Sequence, residues 1–562
     1  MSIFYIRNSL GNISEDGTES LPFKSLSSLV STIGSDLTGH TLRFYGQDTF
    51  DERVGLASFS LIGNNFTVEA YRPPLDNTSR PTLTRAKRDF TWESVGSGVW
   101  RSVETVPAEA GVTGLNCISE DGIMMAPVFM ATSEAATILA MLPGTYSINP
   151  VTNKMLICPS SGAPANHYYI AGAGNYAPIR IRNAHSYNVR EIIQEYCGGA
   201  QFGGTGVNAT LGGAIYEDLI VRNMGGHKQG ATITGVSSEY SGDGLSTFGC
   251  NDDYGKTLIR NSEIHNIFDQ GSAPQTYTTE SVSGVVFENV DIHHCGMGGV
   301  AFVVIVGAGI ASTVNRCGIK KSRIYDNGYG WSGNRGAYGM YVFNASDPYV
   351  NTSLNDNFAL DNAISHCAGT GLMLSQTSGR RNHINKNFVT GCATGFRLHA
   401  RQDAQIEGID DDISFNIAKD CTTGFKVTSG TSGLPGARHW VKNNTMINCI
   451  TGIDDQAKAG EFVDITNNLV VNCGTGIKTA GTSTLTKNTN NLSGCTTNYA
   501  GGLTQGTDTL TSVALDDNYM PTPALNNGTK LGLTDDYYGN ACNGAIGAVA
   551  KSSNKITSII NQ

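Results

Sequence analysis

The sequence predicts an all-β protein whose main body is a right-handed, single-stranded parallel β-helix, a β-solenoid, carrying a small N-terminal β-rich insert. Composition, period and stacking columns each point to it. Glycine accounts for 68 of 562 residues and charged residues for only 15%, against a usual quarter. Such a chain suits short strands and tight turns better than helix bundles or coiled coils. The period is carried by Cys367, Cys392, Cys421, Cys449, Cys473 and Cys495, at steps of 25, 29, 28, 24 and 22 residues. Their contexts, NAISHCAGTGLML, NFVTGCATGFRL, NIAKDCTTGFKV, NTMINCITGIDD, NLVVNCGTGIKT and NNLSGCTTNYAG, repeat one pattern. Each has an Asn, an apolar residue three before the Cys, then in most copies Thr-Gly, read here as a left-handed turn. In the last copy Asn498 replaces the glycine.

The columns extend upstream. The apolar column reads Val221, Ile264, Ile292, Ile324, Ile364, Val389, Ala418, Met446, Val470, Leu492. The Cys column begins Met224, Ile267, Cys295, Asn327. One residue type recurring at such a period means that each coil stacks on the next. Coils this short hold three brief strands, and parallel crossovers are right-handed. Buried thiols act there as small hydrophobes.

Taken in order, residues 1–94 form a cap and the first coils, with strand-like runs TLRFYG and FTVEAY. Residues 95–170 read as a β-hairpin insert with Asp-Gly, Pro-Gly and Thr-Asn turns. Residues 171–540 are the regular β-helix, and 541–562 a C-terminal tail.

A net charge of −10 argues against nucleic acid, which needs a basic face. The longest apolar stretch, Gly298 to Ala311, is too short and Gly-rich for membrane insertion. The start MSIFYIRNSLGNISEDGT lacks a basic segment before an apolar core, so no signal peptide is expected. Thirteen cysteines without a CxxC pair fit neither a disulfide scaffold nor a zinc site. No metal and no cofactor are expected.

The opening SEDGTESLPFKSL resembles the start of right-handed β-helix polysaccharide-active proteins. The insert, with WESVGSGVWRSVETV and LPGTYSINPVTNKMLICPSS, is similar to their W…VWR…GTYY module, and DDYYGNACNGAIGAVA to their terminal strand. That group holds phage tailspike depolymerases, secreted polysaccharide lyases and epimerases. With no signal peptide, the resemblance implies a tailspike: a virion protein of the phage tail that cuts a bacterial surface polysaccharide, capsule or O-antigen. It further implies a homotrimer, with attachment through another phage tail protein. The apolar run from Val300 to Ala311 would lie in the core or at that interface.

Stacking also gives site geometry. Equivalent residues on neighbouring coils sit ~5 Å apart and two coils apart ~10 Å. Paired carboxyls cleave glycosides at about 5 Å with retention or roughly 6.5–9.5 Å with inversion. Aligning 259–267, 287–295 and 319–327 puts Glu263, Asp291 and Arg323 in one outward column. Arg222, His265, His293 and Tyr325 fall in a second, which becomes Ser365, Thr390, Lys419 and Ile447 downstream. The ionisable residues are thus confined to the middle coils.

The longest coils lie there too, 43 residues between Val221 and Ile264 and 40 between Ile324 and Ile364. Functional loops interrupt regular scaffolds. The first holds Glu239, Asp243, Asp252 and Asp253, and the next turn Asp269, Tyr277 and Glu280. Asp243 and Asp269, 26 residues apart, would form a solvent-facing acid/base pair if their turns are equivalent. Asp243, Asp269, Glu280 and Glu239 are the candidate catalytic carboxyls, with His265 and His293 beside them. Glu263, Asp291, Arg222, Arg323, Tyr325 and Tyr277 would bind substrate. In the second long coil Trp331, Tyr329, Tyr338 and Arg335 look like a sugar platform. Asp410, Asp411 and Asp412 read as a solvated turn.

The leading function is an endo-acting glycoside hydrolase. The alternative is a lyase on a uronic-acid polymer, with Arg222, Arg323 or a cation facing the carboxylate and His265, His293 or Tyr325 as base. A non-catalytic adhesin of the same fold, reading glycans with the Trp331 loop, is the third reading.

Overall fold

The computed structural model describes residues 2–10, 15–51, 60–72, 74, 76, 78–105, 114–115, 117–128, 133–149, 151–172, 180–197, 200–201, 212–228, 240–241, 243–248, 250, 252–276, 281–304, 312–328, 338–344, 352–376, 379–400, 410–430, 436–525, 527–529, 536–537 and 545–549. They fall into two compact units, one built on Met1–Ala273 with Asp291–Met297, the other on Pro274–Val290, Gly298–Gly328 and Gly336–Gln562. Each is made of coils of a right-handed parallel β-helix, as the sequence predicts.

In the first unit parallel pairing begins at the first strand. Ile3–Ile6 pairs with Thr41–Tyr45, which pairs with Thr67–Tyr71, then Asn188–Arg190, Ile215–Glu217 and the start of Thr257–Ile267. A second ladder runs Thr49–Asp51, Thr82–Thr84, Ile193–Glu195, Ile220–Met224 and the end of Thr257–Ile267. A short helix, Leu26–Ile33, buries Leu26 and Leu29, and Ser25 caps it by accepting from the Ser28 amide.

In the insert, the Asp-Gly turn joins an antiparallel pair, Ile118–Glu120 with Ile123–Met124, and the Thr-Asn turn another, Thr145–Ile148 with Lys154–Cys158; the Pro-Gly turn instead follows a short helix, Glu134–Ala140. Trp92–Gly96, Val99–Thr105, Lys154–Cys158, Thr145–Ile148 and Ala126–Pro127 make one sheet. Ser97 and Gly98 both have positive φ, which lets the first hairpin close in two residues. Tyr146, Ile148, Met155 and Ile157 form the insert's core, and Phe268 of the coils packs into it. That contact ties the insert to the coil carrying Glu263 and His265.

In the second unit too, parallel ladders join coil to coil. The one holding the apolar column runs Arg323–Tyr325, Ala363–Ser365, Phe388–Thr390, Ile417–Lys419, Thr445–Ile447, Leu469–Val471 and Asn491–Ser493. Ile324, Ile364, Val389, Ala418, Met446, Val470 and Leu492 stand in register and are buried. Cys367, Cys392, Cys421, Cys449 and Cys473 are buried free thiols, and Cys495 is half-buried.

The repeated Asn is the polar spine of this unit. Asn387 Nδ2 donates to Asn416 Oδ1 at 3.0 Å and to the Ala359 carbonyl at 2.9 Å. The pattern passes from Asn362 through Asn387, Asn416, Asn444, Asn468 and Asn490 to Asp508. Each amide satisfies backbone groups that the turn leaves without ladder partners.

The Thr-Gly glycines are not left-handed turns. Gly371, Gly395, Gly424, Gly452 and Gly476 lie inside strands. A Cβ on Gly395 would meet the Gly424 carbonyl oxygen at 2.6 Å, and one on Gly452 the Gly476 oxygen at 2.6 Å. Close backbone approach excludes a side chain there. The left-handed residue is the one before each Cys: His366, Gly391, Asp420, Asn448, Asn472 and Gly494. Asn498 replaces glycine in Thr497–Ala500, the end strand of its described sheet, where no further coil presses on it.

Part of the C-terminal segment lies on the coils rather than free. The Gly547 amide donates to the Asn467 carbonyl at 2.7 Å and the Ala548 amide to Thr445 Oγ1 at 2.8 Å. Ala545, Ala548 and Val549 pack on Ile417 and Ile447, and Ile546 packs on Leu469 and Val471. Asp410–Ser414 is a strand, paired with Gly379–Asn385, and not the expected turn at Asp410, Asp411 and Asp412. The reason is parallel registry with the preceding coil.

Candidate active site

The first unit brings five of the predicted residues together. Parallel registry sets Arg222 beside His265 and Ile220 beside Glu263. The Gly296 amide donates to the Ile267 carbonyl at 2.9 Å, so the next coil continues the alignment with His293 against His265 and Asp291 against Glu263. The imidazoles of His265 and His293 stack, 4.9 Å between centroids and 10° apart in plane. His293 Nε2 lies 3.2 Å from Glu263 Oε1, and His265 Nε2 3.9 Å from the same oxygen. Alternation along the strand turns these side chains outward while Ile264 and Ile292 go inside.

One residue that sequence reasoning passed over belongs to the same column. Glu195 pairs in register with Arg222, and its buried carboxylate accepts from Arg222 Nε at 2.9 Å. Arg88 approaches its other oxygen at 3.9 Å. The signal was available: Glu195 stands one coil before Arg222, opposite in charge.

The electrostatics separate the groups. The His293 hydrogen bond holds the Glu263 carboxyl below the usual glutamate range, against the opposing effect of burial. Burial pushes His265 down to about 4, against the opposing Glu263 carboxylate and with the Arg222 charge adding to it. At neutral pH an ionised Glu263 therefore sits beside a neutral His265. This arrangement can accept a proton, attack an electron-poor carbon, and orient a bound group against Arg222.

The other predicted residues are distributed differently. Asp243 is half-buried and Asp269 is buried, only 2% exposed, so Asp269 is not the solvent-facing group expected. The Gly244 amide donates to the Gln270 carbonyl at 2.9 Å, which sets Asp243 level with Gln270 and Asp269 one residue earlier. The two turns are adjacent but offset by one residue. Tyr338 is a core residue, 3% exposed, lying where a Cβ on Gly298 would strike its ring at 2.4 Å. It is not part of an exposed platform, because its strand alternation points it inward. Arg323 and Tyr325 are half-buried on their strand of the second unit, in register with Ala363 and Ser365. Glu239, Tyr277, Glu280, Tyr329, Trp331 and Arg335 lie outside the described residues.

No family model matches the chain, and no curated protein matches it in sequence. Solved structures do resemble it. The complex of XylC with xylose matches at 11% identity over 98% of each chain, with a TM-score of 0.55. Pectate lyase Pel9A matches at 10% identity over 98% of this chain and 97% of its own, TM-score 0.36. The tailspike protein gp49 of Acinetobacter baumannii bacteriophage Fri1, a capsular polysaccharide depolymerase, matches at 11% identity over 76% of this chain and 57% of its own, TM-score 0.28. The XylC likeness agrees with the ladders on the fold.

Proposed function

We propose that this protein is a glycan-cleaving enzyme, an endo-acting hydrolase of a bacterial surface polysaccharide. The observation that supports it most is the column in which Glu263 and Asp291 stand on adjacent coils, about 4.8 Å apart along the ladder, beside two stacked histidines. Side chains that keep this backbone spacing would bring the two carboxyls to the separation of about 5 Å that suits a double displacement. Glu263, ionised, attacks the anomeric carbon and breaks its bond to the leaving sugar. Asp291 protonates that leaving oxygen, then takes a proton from the water that releases the glycosyl group from Glu263. Arg222, neutralised on one side by Glu195, orients the sugar.

A second reading is favoured by the neutral state of His265. In a lyase it would take the C5 proton of a uronate while the bond to the C4 oxygen breaks and a double bond forms. The two are separated by digesting a panel of purified capsules and lipopolysaccharides. New reducing ends without near-ultraviolet absorbance support hydrolysis, and an absorbing unsaturated product supports elimination. Loss of cleavage in Asp243→Asn or Asp269→Asn, with Glu263→Gln and Asp291→Asn still active, would move the centre to the 243–269 turns. Absence of any released oligosaccharide would leave the adhesin reading.

The enzyme is further proposed to work as a homotrimeric tailspike. Light scattering on the 59.5 kDa chain checks this, and a monomer mass at micromolar concentration would reject it.

A further inference from the structure

The residue closing each coil before the Cys column has left-handed backbone. In the first unit these are Tyr196, Asn223, Asn266 and His294, with φ of 52°, 55°, 54° and 54°. Asn tolerates that region readily, since its short amide bonds locally. Asn266 takes such a corner and donates from Nδ2 to Asn223 Oδ1 of the preceding coil at 3.1 Å. His294 takes the next such corner and turns its ring toward the site. Its Nδ1 lies 2.7 Å from His293 Nδ1, with the rings edge-on at 81° and 4.9 Å between centroids.

Two facing Nδ1 atoms at that distance need one proton between them, so one donates and the other accepts. The other end of His293 decides which. Its Nε2 lies 3.2 Å from Glu263 Oε1, and an ionised carboxylate only accepts. His293 Nε2 therefore carries hydrogen. A neutral His293 then has a bare Nδ1, and the shared proton belongs to His294.

We propose that His294 is a positioning residue: it donates Nδ1–H to His293 Nδ1, locks His293 in the Nε2–H tautomer, and so keeps a donor on Glu263. Such a partner on the far nitrogen is the usual way an imidazole's tautomer is fixed. Among the described residues, the charged and titratable groups near His293 include Glu263 below, His265 on its stacked face, and His294 at its edge, with Arg222 in register beyond His265. The catalytic consequence rests on the reading of Glu263 given above, whereas the hydrogen-bond order does not.

The test uses the full-length chain and His294→Asn, a residue this corner accommodates, with His294→Gly as a second variant that keeps the backbone. Long-range ¹⁵N NMR of the imidazoles should find His293 as the Nε2–H tautomer and His294 as Nδ1–H in the wild type. In both variants His293 should become a tautomer mixture. The acidic limb of the pH profile for cleavage should move up by about one unit, tenfold in proton affinity, as Glu263 loses a fixed donor. A wild-type His293 protonated on Nδ1, or variants with unchanged tautomer and pH limb, would overturn the proposal. If the wild type cleaves no polysaccharide, the catalytic reading fails while the tautomer measurement still decides the bond.

Discussion

In the coils of the second unit the outward column two residues before the cysteines holds Ser365, Thr390, Lys419, Ile447, Val471 and Ser493. In the first unit the same column holds Glu195, Arg222, His265 and His293. The backbone is alike in both, with the same parallel registry and the same left-handed corner. What differs is the cover. Ile447 and Val471 are 6% and 3% exposed because the chain's own C-terminal segment lies over them, with Leu515 and Tyr519 alongside. The column in the first unit stays half-open beside the insert, and it carries charge. A β-helix face that its own chain covers becomes a second core, and one left partly open can keep ionisable groups at coil spacing.

The interior differs in the same sense. The second unit stacks buried Asn amides, each making two or more bonds to neighbouring coils. The corresponding place in the first unit includes Ser262, whose hydroxyl accepts from the Leu219 amide at 3.1 Å and donates to the Arg260 carbonyl, as Ser322 does where the second unit's spine begins.

The largest expected effect bears on the open column. Glu263→Gln should lower the rate of polysaccharide cleavage by roughly 10²–10⁴-fold, with the melting temperature within a degree or two. An equal loss on changing Lys419 or Thr390 would break the comparison, since those positions are assigned no chemistry. Next comes the spine. Asn416→Ala removes the side-chain acceptor of the Asn387 backbone N–H and the side-chain donor to the Ile384 carbonyl, at about 1–3 kcal/mol for each buried group, so denaturant unfolding should show a loss of roughly 2–5 kcal/mol. Ser262→Ala should cost on the order of 1–2 kcal/mol by the same rule. Equal costs would erase the contrast between the units.

His265 makes stability depend on pH. Its folded pKa of about 4 lies below the ordinary 6.5, so the unfolded chain binds the extra proton between those values. Stability should therefore fall as pH drops from about 6.5 to 4, by on the order of 3 kcal/mol. His265→Asn should flatten that part of the curve. Glu263 acts lower: its pKa is depressed, so its contribution is lost only as pH falls below the ordinary carboxyl range. The smallest effect is at the cysteines. Native Cys421 and Cys449 should resist thiol reagents until the second unit unfolds, and Cys421→Ala should cost only about 1 kcal/mol. Rapid labelling of both would show that the column is not packed inside.

The Cys and apolar columns were legible because a solenoid repeats its interior: one position per coil meets the same position on the next. The outward alternation of Glu263, His265, Asp291 and His293 was legible for the same reason. Other features were not. The Thr-Gly glycine looks like a turn in one dimension, and only the next coil's carbonyl shows that it is a close approach. Asp269 looks like an exposed turn carboxyl, yet its backbone is bonded to Met297 of the following coil and its side chain is buried. Tyr338 read as a platform because its loop is aromatic, but its strand turns it inward.

By itself the sequence determined the coil period, the identity of the stacked columns, and which coils carry ionisable groups, since these follow from residue type and spacing along a repeating backbone. Tertiary structure alone decided the one-residue offset between the Asp243 and Asp269 turns, the cover over Ile447 and Val471, and the chain of contacts from His294 through His293 to Glu263. Those depend on where one coil's corner falls against the next, and hydrogen bonds between coils set that registry over distances that no local pattern records.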